Sequence, residues 1–116
     1  MSVYTQILEV LSGLAGGRVF PLVADEGAET PYIVVQRVGG PAINFLTGEI
    51  PEKEIRRVQV TAWAKTVLEA EAVGKEVADS IRSASTLQPE VVGGAVDDYD
   101  STTKYRGSRQ EFYLFC

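Results

Sequence analysis

The side chains best suited to hold a metal ion are the carboxylates of Asp97, Asp98 and Asp100, which lie close together in the sequence. Ca²⁺ and Mg²⁺ prefer oxygen ligands of this kind. In an extended strand, however, Asp97 and Asp98 point to opposite faces. Arg106 and Arg109 follow closely enough to neutralise part of the cluster. We therefore expect ion pairs at the end of a hairpin here, and a metal-assisted enzyme is the weakest alternative.

Other catalytic arrangements lack the residues that they need. The chain has no histidine, which excludes Ser-His-Asp and Cys-His catalysis and imidazole metal ligands. Its single cysteine, Cys116, cannot form an internal disulfide, a zinc finger or a Cys-x-x-Cys motif. Gly13, Gly16 and Gly17 lack the spacing of a phosphate loop and indicate the end of a helix instead. We expect no enzymatic activity and no cofactor.

Length and composition are typical of one globular domain. The chain has 116 residues, of which 45% are hydrophobic and 23% charged, and this suffices for a core without disulfides or metals. No apolar run approaches the ~20 residues of a membrane span, and the start lacks the pattern of a signal peptide. The net charge of −5 argues against general nucleic-acid binding. We expect one domain over residues 1–116, with neither a membrane nor sequence-specific nucleic acid as a partner.

Apolar residues at helical spacing predict two helices. The first covers about residues 3–15, with Ser2 as its N-cap and a pair of glycines at its end. The second covers about residues 67–84, and Thr66 and Glu69 have the spacing of a capping box at its start. Small side chains along the second helix would let it approach a sheet closely.

Alternating and β-branched residues predict four to five strands. Residues 55–64 predict a strand with one core face and a polar face that ends in Trp63. The other predicted strands lie at 18–21, 32–38, 90–98 and 107–115. We expect an α+β fold in the order α-β-β-β-α-β-β, with one mostly antiparallel sheet and both helices packed on one face.

The last two predicted strands form a hairpin whose register is suggested by charge. If the turn is centred near Thr103, Asp97 lies opposite Arg109 and Asp100 lies opposite Arg106. Each opposite-charge pair is worth at most ~1 kcal/mol, and both pairs favour the same register.

The segment from Gly39 to Glu54, called the loop segment below, combines glycines and prolines with large apolar side chains. Loops beyond ~12–15 residues are usually functional or mobile. Apolar side chains on such a loop must pack onto the core or meet a partner. We predict Phe45, Leu46 and Ile50 as interaction anchors.

A small basic site at Arg56 and Arg57 follows the loop segment. Charges of this kind often protect the exposed edge of a sheet from aggregation. Alternatively, the two arginines contact an acidic surface of a partner, and we include them with the anchors as candidate interaction residues.

Several short motifs follow one another in a specific order: Gly17-Arg18-Val19-Phe20-Pro21, Pro31-Tyr32-Ile33-Val34 and Val58-Gln59-Val60-Thr61-Ala62-Trp63-Ala64. In this order they resemble the small tail-completion proteins of long-tailed bacteriophages and prophages, over about residues 1–115. The resemblance implies a non-enzymatic α+β protein that forms a ring, commonly a hexamer, where the tail tube meets the head connector. The resemblance assigns no functional residue of the family to a position in this chain.

The resemblance also implies the partners and the location. The partners are further copies of the chain and the tail-tube and connector proteins, and the protein is found in the host bacterial cytoplasm during assembly and in the virion afterwards. We therefore predict a structural protein that completes the tail and joins it to the head connector. The alternative is a small-ligand-binding α+β module without catalysis, with its pocket between the sheet and helix 67–84 near Trp63.

Overall fold

A computed structural model describes residues 2–43 and 45–116 of the chain, and a six-stranded mixed sheet lies at its centre. The helices are α1 (Val3–Leu11) and α2 (Val67–Ser83). The strands are β1 (Val19–Pro21), β2 (Tyr32–Arg37), β3 (Ile55–Ala64), β4 (Glu90–Val91), β5 (Val96–Tyr99) and β6 (Arg106–Phe115). The predicted α+β class is confirmed. The predicted number of four to five strands was too low, because the sheet has six.

The long strands β3 and β6 form the middle of the sheet. They pair antiparallel over their full length, from Ile55 opposite Phe115 to Ala64 opposite Arg106. The order is β1-β2-β3-β6-β4, and β5 pairs with β6 as well. Only the short edge pair β1–β2 is parallel among the described strands. The sheet is therefore mostly antiparallel, as predicted.

Both helices pack on one face of the sheet and share one core. Strand β3 directs Val58, Val60 and Ala62 towards the helices, as its alternation predicts. The core side chains of the helices are Val3, Ile7 and Leu11 of α1 and Val73, Val77 and Ile81 of α2. The other face of the sheet, called the open face below, carries Arg57, Gln59, Thr61 and Trp63 of β3 and has no helix over it within the described residues.

Side-chain caps start both helices where the sequence predicts. The Ser2 hydroxyl accepts the Tyr4 amide at 3.2 Å, and the Thr66 hydroxyl accepts the Glu69 amide at 3.2 Å. Helix α2 ends within one residue of its predicted end.

The predicted end of the first helix at residue 15 was wrong, because α1 stops at Leu11. The Ser12 hydroxyl donates to the Glu9 carbonyl at 2.9 Å, a local bond that competes with further helical bonds. Leu14 is then extended, and Ala15 has a positive φ of 50°. Gly16 and Gly17, the predicted end of the helix, belong to a separate 3₁₀ turn, Ala15–Gly17.

The predicted strand over residues 90–98 is divided into β4 and β5, which pair with different parts of β6. Glu90 lies opposite Tyr113, whereas Val96 lies opposite Arg109. The chain between β4 and β5, around Gly93, therefore contains two residues more than the part of β6 that it faces. Gly93 has a φ of 143°, a conformation that a glycine adopts readily, and this allows the chain to bulge there.

The predicted hairpin register was wrong by one residue. Asp97 lies opposite Ser108 rather than Arg109, and Tyr99 rather than Asp100 lies opposite Arg106. The turn decides the register: one carboxylate oxygen of Asp100 accepts the Thr102 amide at 2.9 Å, and its backbone amide donates to Tyr105 at 3.0 Å. These short-range bonds outweigh two surface charge pairs.

Candidate interaction surface

The loop segment leaves the sheet between the inner strands β2 and β3, and hydrogen bonds hold both of its ends. The Val38 amide donates to Arg57 at 2.9 Å, and the Arg57 amide donates to Gly39 at 2.7 Å. At the other end, Glu54 and Cys116 exchange backbone hydrogen bonds of 3.1 and 3.2 Å. The sheet therefore fixes where the loop segment emerges.

Gly40 sets the direction in which the chain leaves the sheet. Its φ is 141°, and a Cβ at this position would collide with the carbonyl oxygen of Ile55. A residue without a side chain is therefore needed there, because the two backbones approach each other closely.

The three predicted anchors are exposed in the structure. The relative exposure is 48% for Phe45, 108% for Leu46 and 91% for Ile50. The Gly48 amide donates to Phe45 at 3.0 Å, so a turn presents Phe45 and Leu46, and Ile50 follows this turn. The molecule extends over 51 Å along its longest axis, and its radius of gyration of 14.9 Å exceeds the about 13 Å expected for a chain of this length. Apolar side chains on an exposed turn are a candidate contact surface.

The two arginines behind the loop segment are engaged within the chain. Arg57 forms an ion pair with Glu111 on β6, and its guanidinium lies 5.6 Å from the centre of the Tyr113 ring. The hydrogen bond to Glu111 raises the pKa of Arg57. Arg56 lies 3.5 Å from Glu54. They are on an inner strand, so the interpretation as protection of a sheet edge was wrong.

A groove at the base of the loop segment was not predicted. It has a volume of about 470 Å³, and its lining includes Pro41, Ile55, Tyr113 and Phe115. The Lys53 ammonium lies 5.6 Å from the centre of the Phe115 ring at this end. The register between β3 and β6 brings these residues together, and sequence spacing does not reveal that register.

The anchors and this groove lie on or beside the loop segment, and they are the candidate contact surface of the molecule. The family model described as tail completion protein gp17 matches residues 4–113. The chain belongs to the tail completion protein gp17 family. No curated protein is similar enough to the chain to count as a match.

Membership of the tail completion family gives the chain a structural role in the phage tail and indicates a component of the virion. The match includes α2, the loop segment and most of β6. Partners in this role are other phage tail proteins. Within residues 2–43 and 45–116, no helix is long and apolar enough to span a membrane.

The carboxylate cluster of this tail completion family member is held by hydrogen bonds and an ion pair. Asp98 lies 3.6 Å from Arg109, and Asp100 caps the turn after β5. In the described part of the chain, no group of three or more acidic, histidine or cysteine side chains is arranged to hold a metal ion. Arg106 donates to the carbonyls of Lys65 and Lys104 instead of pairing with Asp100.

The pocket expected between the sheet and α2 near Trp63 was placed wrongly. Trp63 lies on the open face, whereas α2 packs on the other face. The space between α2 and β6 is filled, because a Cβ at Gly74 would lie 2.7 Å from the Ser108 hydroxyl. Gln110 also donates to the Gly74 carbonyl at 2.8 Å across this contact.

Proposed function

We propose that this chain completes the tail by forming a ring with copies of itself, and that the ring joins the tail to the head connector. The observation that carries the proposal is the exposed set of Phe45, Leu46 and Ile50 on a loop that the sheet holds at both ends. The role is mechanical and involves no catalysis, which agrees with the structural role of the family.

Burial of the anchors would supply energy for assembly. Transfer of a large apolar side chain from water to a protein interior is worth about 1.5–3 kcal/mol. Leu46 and Ile50 are almost fully exposed, so nearly all of this energy is available for a contact. Part of it is offset by the ordering of the loop and by the association itself.

A loop that projects from one side of a subunit suits a ring. When a projecting segment contacts a different surface of the next copy, repetition of this contact closes a ring if the rotation allows it. We propose a hexamer, with tail-tube and connector proteins on its two sides. Assembly would take place in the host bacterial cytoplasm, and the ring would remain in the virion.

The experiment is a head–tail joining assay with a variant that carries Phe45→Ser, Leu46→Ser and Ile50→Ser. The matched control is Val67→Ser with Leu68→Ser, which changes two exposed apolar residues at the start of α2. We expect the loop variant to fold and to lose joining, and the control to join normally. Full joining by the folded loop variant, or equal loss in both variants, would overturn the proposed role of the loop segment.

A further inference from the structure

The open face carries a second candidate site at the end of β3 that lies away from the loop segment. Trp63 and Tyr32 lie directly opposite each other on β3 and β2. The rings of Phe20 and Tyr105 each meet the Tyr32 ring edge-on, with centres 6.1 Å apart. A Cβ at Gly107 would lie 3.0 Å from a Trp63 ring carbon, so this glycine makes room for the indole. Tyr32 and Trp63 form an aromatic surface on the sheet.

The groove over this surface has a volume of about 270 Å³, slightly below the 300–1,000 Å³ of typical small-molecule pockets. This volume suits one long side chain. Leu22 and Val23 line the groove together with the carboxylates of Asp98 and Asp100. The groove therefore combines aromatic, aliphatic and acidic side chains.

Both carboxylates keep hydrogen-bonding capacity. One oxygen of Asp98 accepts the Tyr99 amide at 2.9 Å, and the other lies 3.6 Å from the Arg109 guanidinium, beyond hydrogen-bond length. One oxygen of Asp100 accepts the Thr102 amide at 2.9 Å. Its second oxygen has no partner within residues 2–43 and 45–116.

Two hydroxyls in the groove also lack partners. The side chains of Tyr32 and Thr61 line the groove and are only 8% and 6% exposed. Neither hydroxyl forms a hydrogen bond in the described part of the chain. The fully buried side-chain polar atoms without a partner there are Arg56 Nε and Arg57 Nε, so the Tyr32 and Thr61 hydroxyls still reach the groove. Burial, followed by the influence of Tyr105 and Asp100, raises the pKa of Tyr32.

We propose that this groove binds an arginine side chain presented by a different tail protein. A planar guanidinium stacks on aromatic rings, and its five N–H groups match the two hydroxyls and the oxygens of Asp98 and Asp100 that accept no hydrogen bond. A different tail protein is the source that the family role favours. In a second copy, Arg56 and Arg57 are engaged with Glu54 and Glu111, so that copy would have to present another arginine, such as the exposed Arg82.

The site is separate from the loop segment. β3 has ten residues, so its two ends are about 30 Å apart at the usual rise per residue of a strand. The groove would therefore provide a second contact at the opposite end of the molecule, and it does not depend on the anchors.

The test is a titration of the purified chain with N-acetylarginine amide, followed by the fluorescence of Trp63, the only tryptophan. We expect a saturable change in the millimolar range and none with the neutral citrulline analogue. Asp98→Asn combined with Asp100→Asn should weaken binding about tenfold through loss of charge. The matched control is Asp79→Asn on α2, which removes a carboxylate that pairs with Lys75. This variant should bind N-acetylarginine amide with unchanged affinity.

A response that does not saturate, equal binding of the citrulline analogue, or unchanged affinity of the double variant would overturn the proposal. If the double variant does not fold, Thr61→Val removes one groove hydroxyl at constant shape and should weaken binding a few-fold. If the groove variants instead abolish self-association in sedimentation experiments, the arginine comes from a second copy, and the assignment to a different protein is wrong. The variant with Phe45, Leu46 and Ile50 changed to serine should bind N-acetylarginine amide normally. The proposal for this groove and the proposal for the loop segment can therefore fail independently.

Discussion

Helix α2 crosses strand β6 at Gly74, and alanine at this position should destabilise the protein although alanine is the better helix former. A Cβ on Gly74 would lie 2.7 Å from the Ser108 hydroxyl oxygen and 3.1 Å from the Ser108 Cβ. Overpacking of this kind costs typically 1–3 kcal/mol, whereas Gly→Ala in a helix interior gains about 1 kcal/mol. The expected net loss is about 1 kcal/mol of unfolding free energy, or roughly 4 °C in Tm.

Urea unfolding of a double-mutant cycle measures this effect. Ser108→Ala removes the nearer of the two contacts, so Gly74→Ala should cost at least about 0.5 kcal/mol less in that background. Glu76→Ala, on the exposed side of the same helix, is the control and should change stability by less than about 0.5 kcal/mol. Stabilisation by Gly74→Ala, or additive effects of the two substitutions, would refute the close approach of α2 to β6.

Two further predictions concern the start of α2 and the aromatic surface. Thr66→Ala removes the acceptor for the Glu69 amide and should lower the unfolding free energy by about 1 kcal/mol in urea unfolding, whereas Thr66→Ser should retain it. The pKa of Tyr32 is raised above its usual 10.0, so the folded state keeps a proton that the unfolded chain loses. The stability that this shift contributes is complete below about pH 10 and is lost as the pH rises through the pKa of Tyr32 in the folded protein. Tyr32→Phe should reduce this loss of stability at alkaline pH. Unfolding curves recorded on either side of about pH 10 measure the difference.

Elements with strong local signals were predicted well from the sequence. The alternation of β3 gave both its bounds and its core face, because a strand with one buried face requires a period of two. Thr66 marked the start of α2 because its hydroxyl caps the helix locally. In both cases a few neighbouring residues determine the structure.

Features that depend on distant or competing contacts were not predictable. The register of β5 follows the turn bonds of Asp100 and not the weak surface charges. The pairing of Arg57 with Glu111 joins residues far apart in sequence, and it removes the free cation that the basic site suggested. The groove beside Trp63 arises from three strands and a loop, and no spacing within the chain indicates it.

The most direct test of the central claim is the accessibility of the loop segment before and after assembly. A cysteine introduced by Leu46→Cys, in a chain whose own thiol is removed by Cys116→Ser, can be labelled with a maleimide in the free protein and in assembled tails. Glu76→Cys, at an exposed position on α2, is the control variant and measures how readily the maleimide reaches the protein in each sample. We expect labelling at position 46 to be fast in the free protein and strongly slowed in the tail, whereas equally fast labelling in both would contradict a role of this loop in assembly.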